Sequence, residues 1–150
     1  MTSERLYTSR RSGIVTALAD VFSKIDGRGL YYQAVAETSP RLKFWDEIEE
    51  FPAIHLNAGS ESRQYQTGGY KDRFLNVTVR CYVKEEDAVT ALDELLEDVE
   101  TVIEENSKLV YYDRNGQEQY AQQITVISID TDEGALEPLG VGEILIEVRY

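Results

Sequence analysis

The sequence predicts an α+β fold, with an antiparallel or mixed β-sheet, two helices packed on one of its faces and a long projecting β-hairpin loop. Three observations predict it. Residues 73–106 change period part-way: Leu75, Val77, Val79, Cys81 and Val83 alternate with Asn76, Thr78 and Arg80, and then Ala88, Leu92, Leu95, Leu96, Val99 and Ile103 recur at steps of three and four. The first pattern is a half-buried strand and the second is an amphipathic helix. Residues 10–25 give the only other extended helical stripe, while most remaining apolar segments read as strands. Most of the links between those strands are of the hairpin type, which joins antiparallel neighbours.

In chain order, residues 1–9 read as a loose arm. Residues 10–25 form the first helix, with Ile14, Val15, Leu18, Val21, Phe22 and Ile25 as its apolar stripe and Ser9 or Ser12 as its cap. Asp26-Gly27-Arg28-Gly29 ends it, because glycine takes the left-handed conformation common after a helix C-terminus. Residues 30–37 are a strand that breaks at 38–40. Residues 44–51, FWDEIEEF, are irregular or a single helical turn, with Trp45, Ile48 and Phe51 as a plug against the sheet. Pro52 holds Phe51 extended, and residues 52–56 are a strand.

Residues 57–73 have neither period. They contain Gly59, Gly68 and Gly69 and join two adjacent strands, as an extended hairpin does. Glu85, Glu86 and Asp87 fall in the first turn of the second helix, where carboxylates complement the helix dipole. Asp113-Arg114-Asn115-Gly116 between tyrosine-rich flanks is a hairpin turn. Residues 120–129 are a strand, 131–140 a second loop and 141–150 the last strand, in which Leu145 interrupts the alternation as in a strand covered on both faces. One domain of 150 residues accommodates the whole pattern, without repeat or linker.

Composition bounds the function. There are 28 acidic residues against 15 Lys and Arg, a net charge of −13. That opposes sequence-independent nucleic-acid binding, whose affinity comes from cations at phosphates. Residues 1–30 are the mildly basic part, with Arg5, Arg10, Arg11, Lys24 and Arg28 against Glu4, Asp20 and Asp26. No apolar run is long enough to span a bilayer, and the N-terminus lacks the apolar core of a signal peptide. Cys81, the single cysteine, lies on the apolar face of its strand and reads as a small core residue in a reducing compartment. His55, the single histidine, has no Ser or Cys at a recognisable spacing, and reads as a surface or interface residue ahead of a general base. Zinc clusters, phosphate-binding glycine loops, nucleophile elbows and a full calcium loop are missing from the sequence, so no enzyme, metal or cofactor is expected.

Three segments carry candidate contacts. The second helix places Asp93, Glu94, Glu97, Asp98, Glu100 and Glu104 opposite its stripe, with no Lys or Arg between Glu85 and Ser107. Like charges four residues apart, as in Asp93–Glu97 and Glu100–Glu104, cost roughly a few tenths of a kcal/mol each. This is a solvated face of an acidic protein, or a face that repels polyanions or meets a basic partner. The second segment is the long loop, where Arg63, Tyr65, Tyr70, Lys71 and Arg73 have the residue types of a protein contact. The third is the 131–140 loop, with Glu133, Leu136 and Glu137.

FWDEIEEFPAIHL, the GGYKDR of the long loop, FLNVTVRCYVKEEDAVTALDELLEDVETVI and the C-terminal IDTDEGALEPLGVGEILIEVRY together resemble the tail terminator (tail-completion) proteins of long-tailed bacteriophages, over residues 44–150. The resemblance implies an α+β subunit of a homohexameric ring without catalytic residues. Such a ring caps the tail tube, stops its polymerisation and offers a surface to the head-side connector, while DNA passes through the central hole. The implied partners are further copies of the chain, the tail tube protein and the connector protein, at the head-proximal end of the virion tail. On this reading the acidic helix face is one candidate lining of the lumen, or lies outside it, and the two loops are candidates for meeting the tube or the next subunit. A closed ring needs two unlike patches, which a mildly basic N-terminal part and an acidic remainder supply. The residues leave three other readings open: another neck protein such as a head-completion or adaptor subunit, an acidic binding module or DNA mimic, and a small hydrolase using His55 or unrecognised carboxylates.

Overall fold

The computed structural model describes residues 10–150, so the arm expected over residues 1–9 lies outside the described residues. Its centre is a five-stranded sheet made of β1 (Glu37–Ser39), β2 (Ala53–Tyr65), β3 (Lys71–Lys84), β6 (Gln123–Thr131) and β7 (Leu139–Arg149), in the order β1-β2-β3-β7-β6. β1 runs parallel to β2 and every other neighbour is antiparallel, which makes the sheet mixed. β3 pairs with β7 from Phe74↔Arg149 to Lys84↔Leu139. The expected alternation holds: Leu75, Val77, Val79 and Cys81 are buried, and Asn76, Thr78 and Arg80 are half-buried on the other face.

Both helices, α1 (Arg11–Phe22) and α2 (Ala88–Glu105), share one core with that buried face. Ile14, Leu18 and Phe22 of α1 and Leu92, Leu95 and Val99 of α2 meet Val77, Val79, Ile144 and Ile146 there. At about 25 cal/mol per Å² of apolar surface, this contact rather than helix propensity holds the helices in place. A smaller cluster on the opposite face joins Ile48, Phe51, Ala53 and Tyr82, beside the 3₁₀ turn Trp45–Glu47. The plug expected from Ile48 and Phe51 is therefore present, while the side chain of Trp45 lies outside the described part.

A separate hairpin, β4 (Val110–Tyr112) and β5 (Glu118–Tyr120), turns where Asn115-Gly116 was expected to turn it. The Asp113 carboxylate accepts the backbone N–H groups of Asn115 and Gln117, and Gly116 sits at φ 77°. α1 lies close against this hairpin. A Cβ added to Gly13 would stand 2.3 Å from the carbonyl oxygen of Tyr112, so the contact requires glycine.

Four local expectations are corrected. The first helix stops at Phe22, and its N-cap is Arg10 with no side-chain cap bond; Ser12 lies inside the helix. Glu85 and Glu86 precede α2, and Asp87 is its N-cap, accepting the N–H of Thr90 at 3.2 Å. The strand expected over 30–37 is confined to Glu37–Ser39. Gly27 and Gly29, at φ 73° and 60°, fold the chain back, and the N–H groups of Tyr32 and Gln33 bond to a side chain instead of a strand. Finally, most of residues 57–73 is strand. β2 and β3 pair past Phe74↔Arg149 through Arg63↔Arg73 and Gln64↔Asp72 to Tyr65↔Lys71, and only 66–70 form the turn.

Candidate functional site

The distal end of the β2–β3 hairpin brings together Arg63, Tyr65, Tyr70 and Lys71. Antiparallel pairing puts Tyr65 opposite Lys71, whose ammonium lies 5.6 Å from the Tyr65 ring centre. Tyr65 and Tyr70 are 71% and 75% exposed. Just below its tip the hairpin is braced by a polar cluster. The Tyr150 hydroxyl donates to Glu61 at 2.5 Å, Glu61 also accepts from Arg63 at 2.9 Å, and the Arg73 guanidinium lies 5.5 Å from the Tyr150 ring centre. Burial, reinforced by the Glu61 carboxylate, pushes the Tyr150 hydroxyl up to about 12. Arg63 and Arg73, which face each other across the hairpin, thus sit at the base of the tip, and Tyr65, Tyr70 and Lys71 at its end.

The loop expected over 131–140 is confined to residues 132–138, between β6 and β7, and turns tightly at Glu133 and Gly134, at φ 57° and 82°. Glu133 and Glu137 are exposed and Leu136 is half-exposed, at 51%. Leu136 borders an open cavity of about 640 Å³ with Phe44, Tyr82, Leu139 and Val141, on the sheet face away from the helices. Arg80 and Glu143 form a 3.1 Å ion pair beside it.

On α2, Asp93, Glu97, Glu100 and Glu104 are exposed and Glu94 is half-buried. Asp98 departs from the expectation: it is 1% exposed and does not belong to the solvent face. Its carboxylate accepts the N–H of Tyr32 at 3.0 Å and of Gln33 at 2.8 Å. Burial raises its pKa, the two N–H bonds pull it back down, and Glu94 pushes it up again, with a net rise. Two weaker bonds fasten the same loop to the helix, from the Tyr31 hydroxyl to Glu105 and from Gln33 Nε2 to Glu94, both 3.4 Å. Strapped in this way, the loop shows Leu30 and Tyr32 to solvent, 70% and 63% exposed. They line an open groove of about 610 Å³ with Glu97, Glu100, Thr101, Glu104 and Glu105. Leu30 and Tyr32 give no contact signal in the sequence, where LYYQAV has the composition of a strand.

His55 is fully buried, contrary to the surface placement expected of it. Its Nε2 lies 2.8 Å from Glu37 Oε2, and Lys43 reaches the other oxygen of Glu37 at 3.3 Å. Burial alone would raise the Glu37 pKa, but the bonds from His55 and Lys43 outweigh it and hold the carboxyl below its ordinary value. Cys81 is buried as expected, and burial pushes its thiol up to about 12. Among the described residues no group of His, Cys, Asp and Glu is arranged to hold a metal ion, and no helix is long and apolar enough to cross a membrane.

The geometry is that of exposed apolar and charged patches on an α+β domain. The fold is similar to that of a chain from the virion of a native gene transfer agent particle, with a TM-score of 0.50 at 9% identity, covering 88% of this chain and 82% of that one. At that identity the likeness concerns the fold alone. Sequence defines the family. A model described as "Bacteriophage Tail Tube Terminator Protein" matches residues 8–150, and the chain is 33% identical over 149 residues to the tail tube terminator protein p142 of Escherichia phage T5, covering 93% of this chain and 92% of that protein. The chain belongs to the bacteriophage tail tube terminator family.

Proposed function

We propose that this chain acts, as a single α+β domain, in a homohexameric ring at the head-proximal end of the virion tail. The ring assembles in the host cytoplasm, caps the tail tube, ends its polymerisation and offers its other side to the head-side connector. The observation that carries this reading is the family match, which runs through nearly the whole chain, residues 8–150. The role is structural, and DNA crosses the central hole without specific contacts. With a net charge of −13, the ring as a whole repels phosphates, which removes the cation contacts that would hold DNA back during ejection.

The test is the mass in solution, by light scattering coupled to size exclusion, with negative-stain images of the peak. A particle of six times the 17.1 kDa chain mass with a central hole is the expected result. A monomer or dimer that stays so when purified tail tubes are added would overturn the reading and favour the acidic binding module.

A further inference from the structure

We propose that the tip of the β2–β3 hairpin of one copy docks into the Leu30–Tyr32 groove of the next, an aromatic, positively charged finger seated on an apolar, acid-rimmed floor. This rests on the ring reading above and names the joint that closes the ring.

The groove has the marks of a surface that something covers. Leu30 and Tyr32 are among the most exposed large apolar side chains of the chain, and they stand together instead of singly. They are also held fixed. A buried carboxylate, Asp98, spends its hydrogen-bonding capacity on the backbone of Tyr32 and Gln33, so the loop is set before any partner arrives. Pre-ordering of this kind reduces the entropy lost on binding. A wall meant only to repel DNA has no use for an exposed leucine and tyrosine. The covering partner is chosen by the rim: Glu97, Glu100 and Glu104 carry no neutralising Lys or Arg within their own helix, so it must bring cations and apolar rings.

The tip and its base bring both. Arg63, Lys71 and Arg73 outnumber Glu61 and Asp72 there, in a chain that is otherwise strongly acidic, and Tyr65 and Tyr70 are the exposed rings. Tyr and Arg are the residues enriched at the energetic centres of protein interfaces. Two copies that each carry −13 repel one another at long range, so association depends on local patches of opposite sign. The tip and the groove are unlike patches on one chain, and joining unlike patches head to tail is the arrangement that closes a ring. The acidic face of α2 then lies between subunits and not on the lumen.

Charge reversal with rescue tests the joint. Lys71→Glu in the tip and Glu100→Lys in the groove change exposed or half-exposed positions, so folding is checked by circular dichroism and kept. Each single variant is expected to raise the concentration needed for ring formation by about tenfold or more, and the double variant to recover most of that loss. A second readout uses cysteines: Leu30→Cys with Tyr70→Cys, oxidised by copper phenanthroline and air, should give a covalent ladder ending at six. Neither cysteine alone should do so, because Cys81 is fully buried. Wild-type rings that form while both reversals assemble normally and no ladder appears would overturn the docking and leave the ring standing. A wild-type chain that forms no ring, with or without tube ends, would overturn both.

Discussion

The two ends of the β2–β3 hairpin are made of the same paired strands and differ in what covers their side chains. At the root, Ala53, Ile54, His55 and Leu56 are all buried, between the helix-side core and the small cluster behind the sheet. At the tip, Ser62, Arg63, Gln64 and Tyr65 are all exposed. Backbone pairing is continuous through both, apart from a register shift between Ala58 and Glu61. Hydrogen bonding therefore does not separate them; side-chain burial does. The root holds the fold, and the exposed tip contributes little to it. Bulges of this kind bend a strand and re-aim its side chains, here where the strand passes from the buried root to the exposed tip.

The largest effect on stability is expected at the root. Leu56→Ala removes a fully buried side chain and should cost about 2–5 kcal/mol in urea unfolding. Next comes Gly13→Ala, where a methyl would meet the Tyr112 carbonyl oxygen and α1 would have to move off β4; a loss on the order of 1–3 kcal/mol is expected in the same measurement.

Two carboxylates make stability depend on pH, with opposite signs. The folded pKa of Asp98 is raised, so its contribution is greatest below the ordinary carboxylate pKa and is lost as pH rises through the folded value. The folded pKa of Glu37 is depressed, so its contribution is present above the ordinary carboxylate pKa and is lost as pH falls through the folded value. Thermal unfolding across the acid range should show wild type losing ground to Asp98→Asn as pH rises, and losing ground to Glu37→Gln as pH falls. The smallest effect on stability is at the tip. Tyr65→Ala with Tyr70→Ala should leave the unfolding free energy within about 0.5 kcal/mol of wild type, since both rings are exposed, while association between copies fails.

Legibility in the sequence followed burial. The β3–α2 stretch was readable because each element buries one face, and burial imposes a period on the residues. The tip was not readable as strand because SESRQY is polar or exposed on both faces, leaving no alternation to see. Residues 30–37 misled in the other direction: LYYQAV has strand composition, but the two glycines before it and the carboxylate of a distant helix decide its conformation. Asp98 carried a usable signal. It lies three residues after Leu95 and four before Val102, on the flank of the apolar stripe, where a carboxylate is buried and needs donors. The tip residues stand out in the sequence as contact candidates by their types alone, whereas the Leu30–Tyr32 groove depends on a loop packing against α2 across a long sequence separation, which no local pattern records.

If this chain ends tube growth, seeded polymerisation of the tube shows it. Tail tube protein is grown from purified tubes with and without the chain, and tube lengths are measured in negative-stain images. Growth that stops on addition, with a ring of extra density at one end of each tube, is the predicted result. Tubes that lengthen at an unchanged rate with bare ends would contradict the account.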